Sequence, residues 1–213
     1  MTSGLLTAYA ASDPHAAIIL AHGAGAGQTH PFMVRAARAL AARGLSAATF
    51  DFPYMAERRS VPDRAPVLEA AWRTAIESAR TTFGGLPLFI GGKSMGGRIA
   101  SHVASQGNAG TLAGLIFLGY PLHPPGNPSK LRDAHLPAIA EPMLFVQGSR
   151  DTFGTADEIR ALMPRLQRAT LHEVIDGDHS LKVPRRSGDP DGVLEGVFDV
   201  VAAWSRDIAP PAG

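Results

Sequence analysis

Cysteine is absent from the 213-residue sequence, which excludes disulfide bonds and thiol chemistry. Positive and negative charges nearly balance: the formal net charge is +1, and no lysine- or arginine-rich block occurs. This pattern gives no support to a nucleic-acid or anionic-membrane partner. The apolar run Ala16–Ala21 is far shorter than the roughly 20 residues that a bilayer-spanning helix needs, so we expect no membrane partner.

Targeting and metal-binding patterns are also missing. No arginine or lysine precedes Arg35, so the sequence lacks the positive charge with which a secretory signal begins. Neither an H-x-H nor an H-E-x-x-H pattern occurs, and we expect no metal and no cofactor. Because a chain of this length suits one domain, the sequence predicts a single domain over residues 1–213. The lack of cysteine and of a secretory signal predicts a cytoplasmic protein.

Short apolar runs alternate with amphipathic segments along the chain. The runs predict a short edge strand within Gly4–Ala11, followed by strands at Ala16–Ala21, Ser46–Phe52, Pro87–Gly91, Leu112–Leu118, Pro142–Gln147 and Thr170–Ile175. The amphipathic segments predict helices at Pro31–Arg43, Pro66–Phe83, the stretch after Ser94, Ala156–Met163 and Val193–Ile208. The alternation is typical of an α/β protein with a doubly wound, mostly parallel sheet of about six to seven strands.

The segment Gly92-Lys93-Ser94-Met95-Gly96 has the form G-x-S-x-G, between a predicted strand and a predicted helix. In α/β-hydrolases this pattern is the nucleophile elbow, which lifts a serine hydroxyl above the carboxyl edge of the sheet. We expect a strained backbone at Ser94, and flanking glycines that let strand and helix pack closely. A phosphate-binding loop is a rival interpretation, but it needs a glycine where Pro87 stands. A glycine-rich turn with an unreactive serine is another.

A serine becomes a nucleophile only with a neighbouring base, which in turn needs an orienting acid. Asp151 and His179 follow Ser94 in the order that α/β-hydrolases use, and each comes directly after a predicted strand. We expect Ser94 to be the nucleophile, His179 the general base and Asp151 the acid. Asp176 or Asp178 could replace Asp151. Asp151 could instead cap the next helix, and His179 could be an ordinary surface histidine.

Acyl transfer also needs N–H donors for the oxyanion that develops on the carbonyl oxygen. One expected donor is the backbone N–H of Met95, directly after the serine. The other should come from the loop after the first buried strand, His22-Gly23-Ala24-Gly25, with the Ala24 N–H preferred over that of Gly23. A dinucleotide-binding loop is the competing interpretation, but its third glycine would fall on Gln28.

Side chains in the predicted post-strand loops are candidates for a substrate pocket: His22, Tyr54, Tyr120 and Pro121. Ordinary packing of loops on helices is an equally good interpretation of them. We expect Lys182 to be solvated rather than to face an anionic substrate, because most lysines are exposed. The sequence assigns no role to Lys93, the neighbour of the predicted nucleophile.

Five motifs together resemble one family of small hydrolases: His22–Gly25, Gly91–Arg98, Leu118–Gly126, Gln147–Asp151 and Gly177–Ser180. The chain resembles compact, dienelactone-hydrolase-like α/β-hydrolases, and most closely the proteins related to testis-expressed protein 30 and to the hydrolase-like domain of the NSL-complex regulatory subunit 3. The resemblance implies an α/β-hydrolase fold without a cap domain. It assigns a serine-hydrolase triad to Ser94, Asp151 and His179, and it implies no particular substrate.

The expected function is cleavage of a small acyl ester or thioester by Ser94 through an acyl-enzyme intermediate. The largest insertion, Tyr120–Glu141, is too short for a lid domain, so we expect a shallow site for a small-molecule acyl substrate. The alternative is a hydrolase-fold binding or scaffold protein with little or no activity, since some members of the resembled family act through protein contacts. Nothing else in the sequence indicates a protein partner.

Overall fold

The structure, a computed structural model, describes residues 6–209. One sheet contains seven strands: β1 Thr7–Tyr9, β2 Ala16–Ala21, β3 Leu45–Phe50, β4 Leu88–Lys93, β5 Gly114–Leu118, β6 Met143–Gly148 and β7 Ala169–Val174. Their spatial order is β1-β3-β2-β4-β5-β6-β7, with β1 antiparallel to β3 and all other neighbours parallel. The predicted mostly parallel sheet is confirmed; residues 4 and 5 of the predicted edge strand lie outside the described residues.

The helices of the described chain are α1 Pro31–Ala41, α2 Pro53–Ala56, α3 Ala65–Phe83, α4 Met95–Ser105, α5 Ala156–Leu162 and α6 Pro190–Ile208. Single 3-10 turns lie at Leu136–Ala138, Met163–Arg165 and Arg185–Ser187. The predicted helices are all present, with ends that differ by a few residues. The single turn α2 was not predicted; it begins at Pro53, whose fixed φ suits the first position of a helix.

Both faces of the sheet are buried. Alternate residues of β2 belong to two separate hydrophobic cores, the odd-numbered ones with residues of α3 and α4 and the even-numbered ones with residues of α1 and α6. A strand buried on both faces has no polar positions, which is why β2 reads as a continuous apolar run. A hydrogen bond connects α3 to α4: the buried Nε1 of Trp72 in α3 donates to the carbonyl oxygen of Gly96 in α4 at 3.2 Å.

The strand order leaves a crevice at one edge of the sheet. The strands β2 and β4 are neighbours. The connection after β2 leads to β3 on one side of this pair, and the connection after β4 leads to β5 on the other side, so the two connections diverge. In doubly wound sheets, ligands bind outside the carboxyl ends of such strands. Within residues 6–209 no cap domain covers this edge, because the β5–β6 connection contains only one 3-10 turn. The fold therefore opens the loops after β2 and β4 to a ligand.

Candidate active site

Ser94 lies between β4 and α4, with φ 51° and ψ −119°. A positive φ is rare for a residue with a side chain and costs of order 1–3 kcal/mol. The turn is tight because it packs on β2: a Cβ on Gly92 would lie 2.1 Å from the carbonyl oxygen of Ala21, and one on Gly96 would lie 2.3 Å from it. The predicted strain and close packing are confirmed. Regular strand extends to Lys93, which leaves no phosphate-binding loop.

A chain of hydrogen bonds joins three side chains at this edge. His179 Nε2 lies 2.8 Å from Ser94 Oγ, and His179 Nδ1 lies 2.8 Å from Asp151 Oδ2. An ionised carboxylate only accepts hydrogen bonds, so the proton of the neutral imidazole is on Nδ1. Nε2 is then the acceptor for the Ser94 hydroxyl. This arrangement can remove a proton from the serine as it attacks a carbonyl carbon.

Asp151 is held in place by its own surroundings. Its carboxylate is buried; Oδ1 accepts from the Phe153 backbone N–H at 2.8 Å, and Oδ2 accepts from Gln147 Nε2 at 2.9 Å. Gln147 in turn accepts from the Tyr120 backbone N–H at 2.8 Å. Asp151 does not cap α5, because Thr155 occupies the N-cap position. The side chain is therefore free to orient the imidazole of His179.

The two other acids near His179 are engaged elsewhere. Asp178 Oδ1 accepts from the backbone N–H groups of Ser180 and Lys182, at 2.7 and 3.0 Å, and so stabilises its own turn. Asp176 Oδ2 accepts from Ser187 Oγ at 2.8 Å. The carboxylate that reaches the imidazole of His179 in the described structure is that of Asp151.

A cavity of about 400 Å³ lies beside Ser94 and His179. Its lining combines apolar and basic side chains with no carboxylate: Gly23, Ala24, Ala26, His30, Phe32, Met33, Lys93, Ser94, Phe153, His179, Ser180 and Lys182. Phe153 stacks on the imidazole of His179, with ring centroids 4.2 Å apart and planes 29° apart. Ser94 and His179 thus border a small, partly apolar pocket.

The four side chains proposed from the sequence for the pocket do not line this cavity. His22, Tyr54, Tyr120 and Pro121 are all buried. Tyr54 packs against the ring of His22, at 5.9 Å between centroids, and the Tyr120 hydroxyl donates to the carbonyl oxygen of Arg132 at 2.8 Å. Large aromatic side chains gain most free energy from burial, so they pack between loop and helix rather than face the open crevice.

His22 connects two loops instead. Its Nε2 accepts from the Phe52 backbone N–H at 3.2 Å, so Nδ1 carries the proton and donates to the carbonyl oxygen of Gly23 at 2.8 Å. Burial lowers the pKa of His22 and keeps the imidazole neutral. The residue therefore fixes the loop after β2, which contains the proposed oxyanion donors.

The backbone N–H groups predicted for the oxyanion are close to the nucleophile. Gly23 and Ala24 line the cavity, and Met95 is the first residue of α4. Within residues 6–209, the N–H groups of Met95 and Ala24 donate to no other group. The N-terminus of α4 adds the positive end of a helix dipole. These N–H groups are thus free to receive a developing negative charge.

The cavity also contains residues that the sequence did not indicate. Phe32 and Met33 come from the start of α1, and Phe153 follows Asp151 at a short distance along the chain. No spacing rule links them to a serine triad; only the folding of α1 over the crevice brings them there. Lys93 lines the cavity as well, and its Nζ donates to the backbone carbonyl oxygen of His179. Burial lowers the pKa of Lys93 to about 8.

A second groove, of about 560 Å³, lies at the amino end of β4 and has no comparable chemistry. Its titratable side chain is Arg80, whose guanidinium already donates to the carbonyl oxygens of Ala109 and Thr111 at 2.9 Å each. Across residues 6–209, no three metal-ligating side chains form a group that could hold an ion. None of the described helices is long and apolar enough to span a bilayer.

The sequence and structure match known proteins over most of their length. Residues 14–206 match the family described as "Alpha/beta hydrolase domain". A lidless α/β serine hydrolase from Xanthomonas campestris superposes with a TM-score of 0.72 at 18% identity, covering 98% of this chain and 90% of that one. A dienelactone hydrolase from Anabaena variabilis gives a TM-score of 0.72 at 19% identity, with 93% and 89% covered.

An esterase domain from a Rhodothermus marinus protein gives a TM-score of 0.69 at 15% identity, with 95% of this chain and 91% of that chain covered. Identities this low show a common fold and leave the activity of this chain open. The family match, in contrast, covers the whole sheet from β2 to β7 together with α6 up to residue 206. The chain therefore belongs to the alpha/beta hydrolase domain family.

Proposed function

We propose that the protein is a serine hydrolase that cleaves small acyl esters or thioesters with Ser94, His179 and Asp151. The observation that carries the proposal is the continuous hydrogen-bond chain from Asp151 Oδ2 through the imidazole to Ser94 Oγ, with 2.8 Å at each link. The strained φ of Ser94 supports the proposal as well. Strain of this kind persists only where the surrounding structure enforces it, and it is concentrated at active sites, whereas a turn with an unreactive serine would not need it.

In the proposed reaction, His179 Nε2 accepts and returns each transferred proton. Ser94 Oγ attacks the acyl carbon while its proton passes to His179 Nε2, and the carbonyl oxygen becomes an oxyanion held by the N–H groups of Met95 and Ala24. When the tetrahedral species collapses, His179 returns the proton to the leaving alcohol or thiol. Water then attacks the acyl-enzyme with the same base, and the carboxylic acid and the free serine result.

The size of the cavity supports a small acyl group. About 400 Å³ is at the low end for sites that bind small organic molecules. Phe32, Met33 and Phe153 supply apolar contact, and no lid domain within residues 6–209 excludes water from the opening. We therefore propose short-chain or flexible esters and not long-chain lipids as substrates.

The experiment is a panel of p-nitrophenyl esters from acetate to palmitate, assayed with the wild-type chain and Ser94→Ala. We expect kcat/KM to be highest for chains of two to about six carbons, on the volume argument. Ser94→Ala should lower the rate by at least about a thousandfold, because the nucleophile is lost. A binding or scaffold protein would show no turnover of any ester, and this outcome would reject the proposed activity.

We further infer that the chain is nearest, within its family, to the proteins related to testis-expressed protein 30 and the NSL-complex regulatory subunit 3. The support is the set of five sequence motifs, four of which contribute residues to the cavity or to the proposed triad: Gly91–Arg98 forms the elbow and Gln147–Asp151 carries the acid. A comparison of the complete chain with members of that subfamily and with dienelactone hydrolases tests this inference, because closer identity to the latter would overturn it.

A further inference from the structure

Lys93 is the unexplained residue of the elbow. Its backbone ends β4 and is bonded directly to Ser94, while its Nζ donates to the backbone carbonyl oxygen of His179. His179 Nε2 in turn lies 2.8 Å from Ser94 Oγ. The two hydrogen bonds and the Lys93–Ser94 peptide bond form a closed ring, in which one side chain joins the nucleophile to the backbone of the base.

The ring is closely packed. A Cβ on Gly119 would lie 2.7 Å from the His179 carbonyl oxygen and 3.0 Å from Lys93 Nζ. Gly119 follows β5 and has φ +73°, so both its backbone conformation and these two close approaches exclude a side chain there. A Cβ on Gly23 would lie 3.8 Å from Lys93 Cγ, at ordinary van der Waals distance. Lys93 Nζ and the His179 carbonyl oxygen are therefore packed together against the backbone at Gly119, while Lys93 also borders the cavity.

Stability alone does not explain a lysine at this place. The acceptor of its hydrogen bond is a neutral carbonyl oxygen, and taking an ammonium group out of water costs free energy that such an acceptor repays only in part. An apolar side chain of similar length would avoid this cost. The groups that face the ammonium are Asp151 from the loop after β6, and Asp178 and His179 from the loop after β7; Lys182 lines the same cavity.

We propose that Lys93 is a positioning residue of the triad: its charged Nζ holds the backbone of His179 so that Nε2 stays within hydrogen-bonding distance of Ser94 Oγ. The inference rests on the proposed function. A charge-assisted hydrogen bond is roughly twice as strong as a neutral one, so the ammonium form holds the carbonyl better than the amine. Because burial brings the pKa of Lys93 to about 8, the amine form becomes abundant in mildly alkaline solution.

Three variants test the proposal with p-nitrophenyl butyrate. Lys93→Met removes the donor and should lower kcat by about tenfold to a hundredfold with little change in KM, because a displaced base slows the chemistry and not the binding. Lys93→Arg keeps a permanent cation and should retain most of kcat. Lys130→Met, a surface lysine in the β5–β6 connection, is the matched control and should behave as wild type.

The pH profile separates positioning from a structural role. We expect the wild-type kcat to fall as pH rises through about 8, and Lys93→Arg to remain active at higher pH, since a guanidinium stays charged. A Lys93→Met enzyme that folds with wild-type kcat and pH profile would overturn the proposal. Should Lys93→Met fail to fold, an alkaline decline in Lys93→Arg at the wild-type pH would overturn it equally.

Crystal structures of wild type and Lys93→Met give a readout that is independent of turnover. The proposal expects the separation of Ser94 Oγ and His179 Nε2 to lengthen beyond hydrogen-bonding distance, about 3.5 Å, in the variant. An unchanged separation would contradict it, whether or not the wild type is active. Absence of turnover in the wild type would count against the proposed function and leave this structural comparison to decide the role of Lys93.

Discussion

At the scale of single residues, the candidate site depends on one buried carboxylate. Among the described residues, the carboxylate of Asp151 accepts three hydrogen bonds, from His179 Nδ1, Gln147 Nε2 and the Phe153 N–H, and the first of these determines which ring nitrogen of His179 is free to act as a base. Buried polar networks of this kind act as a unit, because each member fixes the orientation of the next. The proposed role of Asp151 can therefore be tested by a single substitution.

Asp151→Asn should lower kcat by about a hundredfold to ten-thousandfold with little effect on KM. An asparagine amide can donate to Nδ1, which would favour the tautomer with the proton on Nε2 and leave no acceptor for the serine. Steady-state kinetics on a short-chain ester measure this. Asp176→Asn is the control, since Asp176 bonds to Ser187 and asparagine tolerates its positive φ of 56°. Equal losses in both variants would contradict the assignment.

The sequence indicated the candidate triad because order along the chain and position after strands are both visible in it. Ser94, Asp151 and His179 each follow an apolar run, and parallel strands bring their carboxyl ends to one edge. The burial of Tyr54 and the bond from Lys93 to the His179 carbonyl could not be predicted, because both depend on which way a side chain turns in a folded loop. Their residue types suit either direction.

At the scale of elements, the elbow depends on how closely α4 approaches β2. A Cβ on Gly96 would lie 2.3 Å from the carbonyl oxygen of Ala21 and 2.7 Å from that of His22. Both contacts are to backbone, which cannot move aside as a flexible side chain would. The position of α4, and with it the Met95 N–H, is therefore set by the absence of a side chain at residue 96.

Gly96→Ala should destabilise the protein by about 1–3 kcal/mol or more, because it forces α4 away from the sheet. Gly196→Ala, in α6, is a matched substitution: a Cβ there meets nothing within 4 Å, so we expect stabilisation of about 0.5–1 kcal/mol from the better helix former. Urea unfolding of both variants measures the difference. A neutral Gly96→Ala would show that the close packing of α4 on β2 is not required.

Strands and long helices were predictable because their apolar periodicity is strong, and their ends were less so. The start of α5 is an exception, since it was predicted correctly at Ala156: its N-cap is Thr155, and a reciprocal capping box with Glu158 stabilises its first turn. The pattern of threonine followed three residues later by glutamate was available in the sequence as a start signal. The single turn α2 has no apolar period at all; the fixed φ of Pro53, the burial of Tyr54 and the Asp63 carboxylate, whose Oδ2 accepts from the Tyr54 backbone N–H at 3.0 Å, maintain it.

At the scale of the whole molecule, burial of one histidine and partial burial of several others favour their neutral form. Burial lowers the pKa of His15, His22, His102 and His172 below 6.5, and it lowers that of His135 to about 4. Below pH 6.5 the unfolded chain therefore binds more protons than the folded one. Since stability rises with pH wherever the unfolded state binds more protons, it must fall as pH decreases through this range.

We expect the free energy of unfolding to decrease steadily from pH 7.5 to pH 5, and further toward pH 4 as His135 begins to take up a proton. Glu158, whose pKa is lowered by the N–H and hydroxyl of Thr155, adds to the loss at the acid end. Urea midpoints at constant ionic strength measure this. Stability that stays constant or rises on acidification would contradict neutral burial of these histidines.

The proposed activation of Ser94 is tested most directly by covalent labelling of the intact protein with a fluorophosphonate probe, followed by mass spectrometry of the modified peptide. Such probes react with a serine that an adjacent base has activated, so no knowledge of the natural substrate is needed. We expect one stoichiometric label on Ser94, absent from Ser94→Ala and strongly slowed in Asp151→Asn. No label on the folded wild-type chain, or a label that persists in Ser94→Ala, would contradict the assignment of Ser94 as the nucleophile.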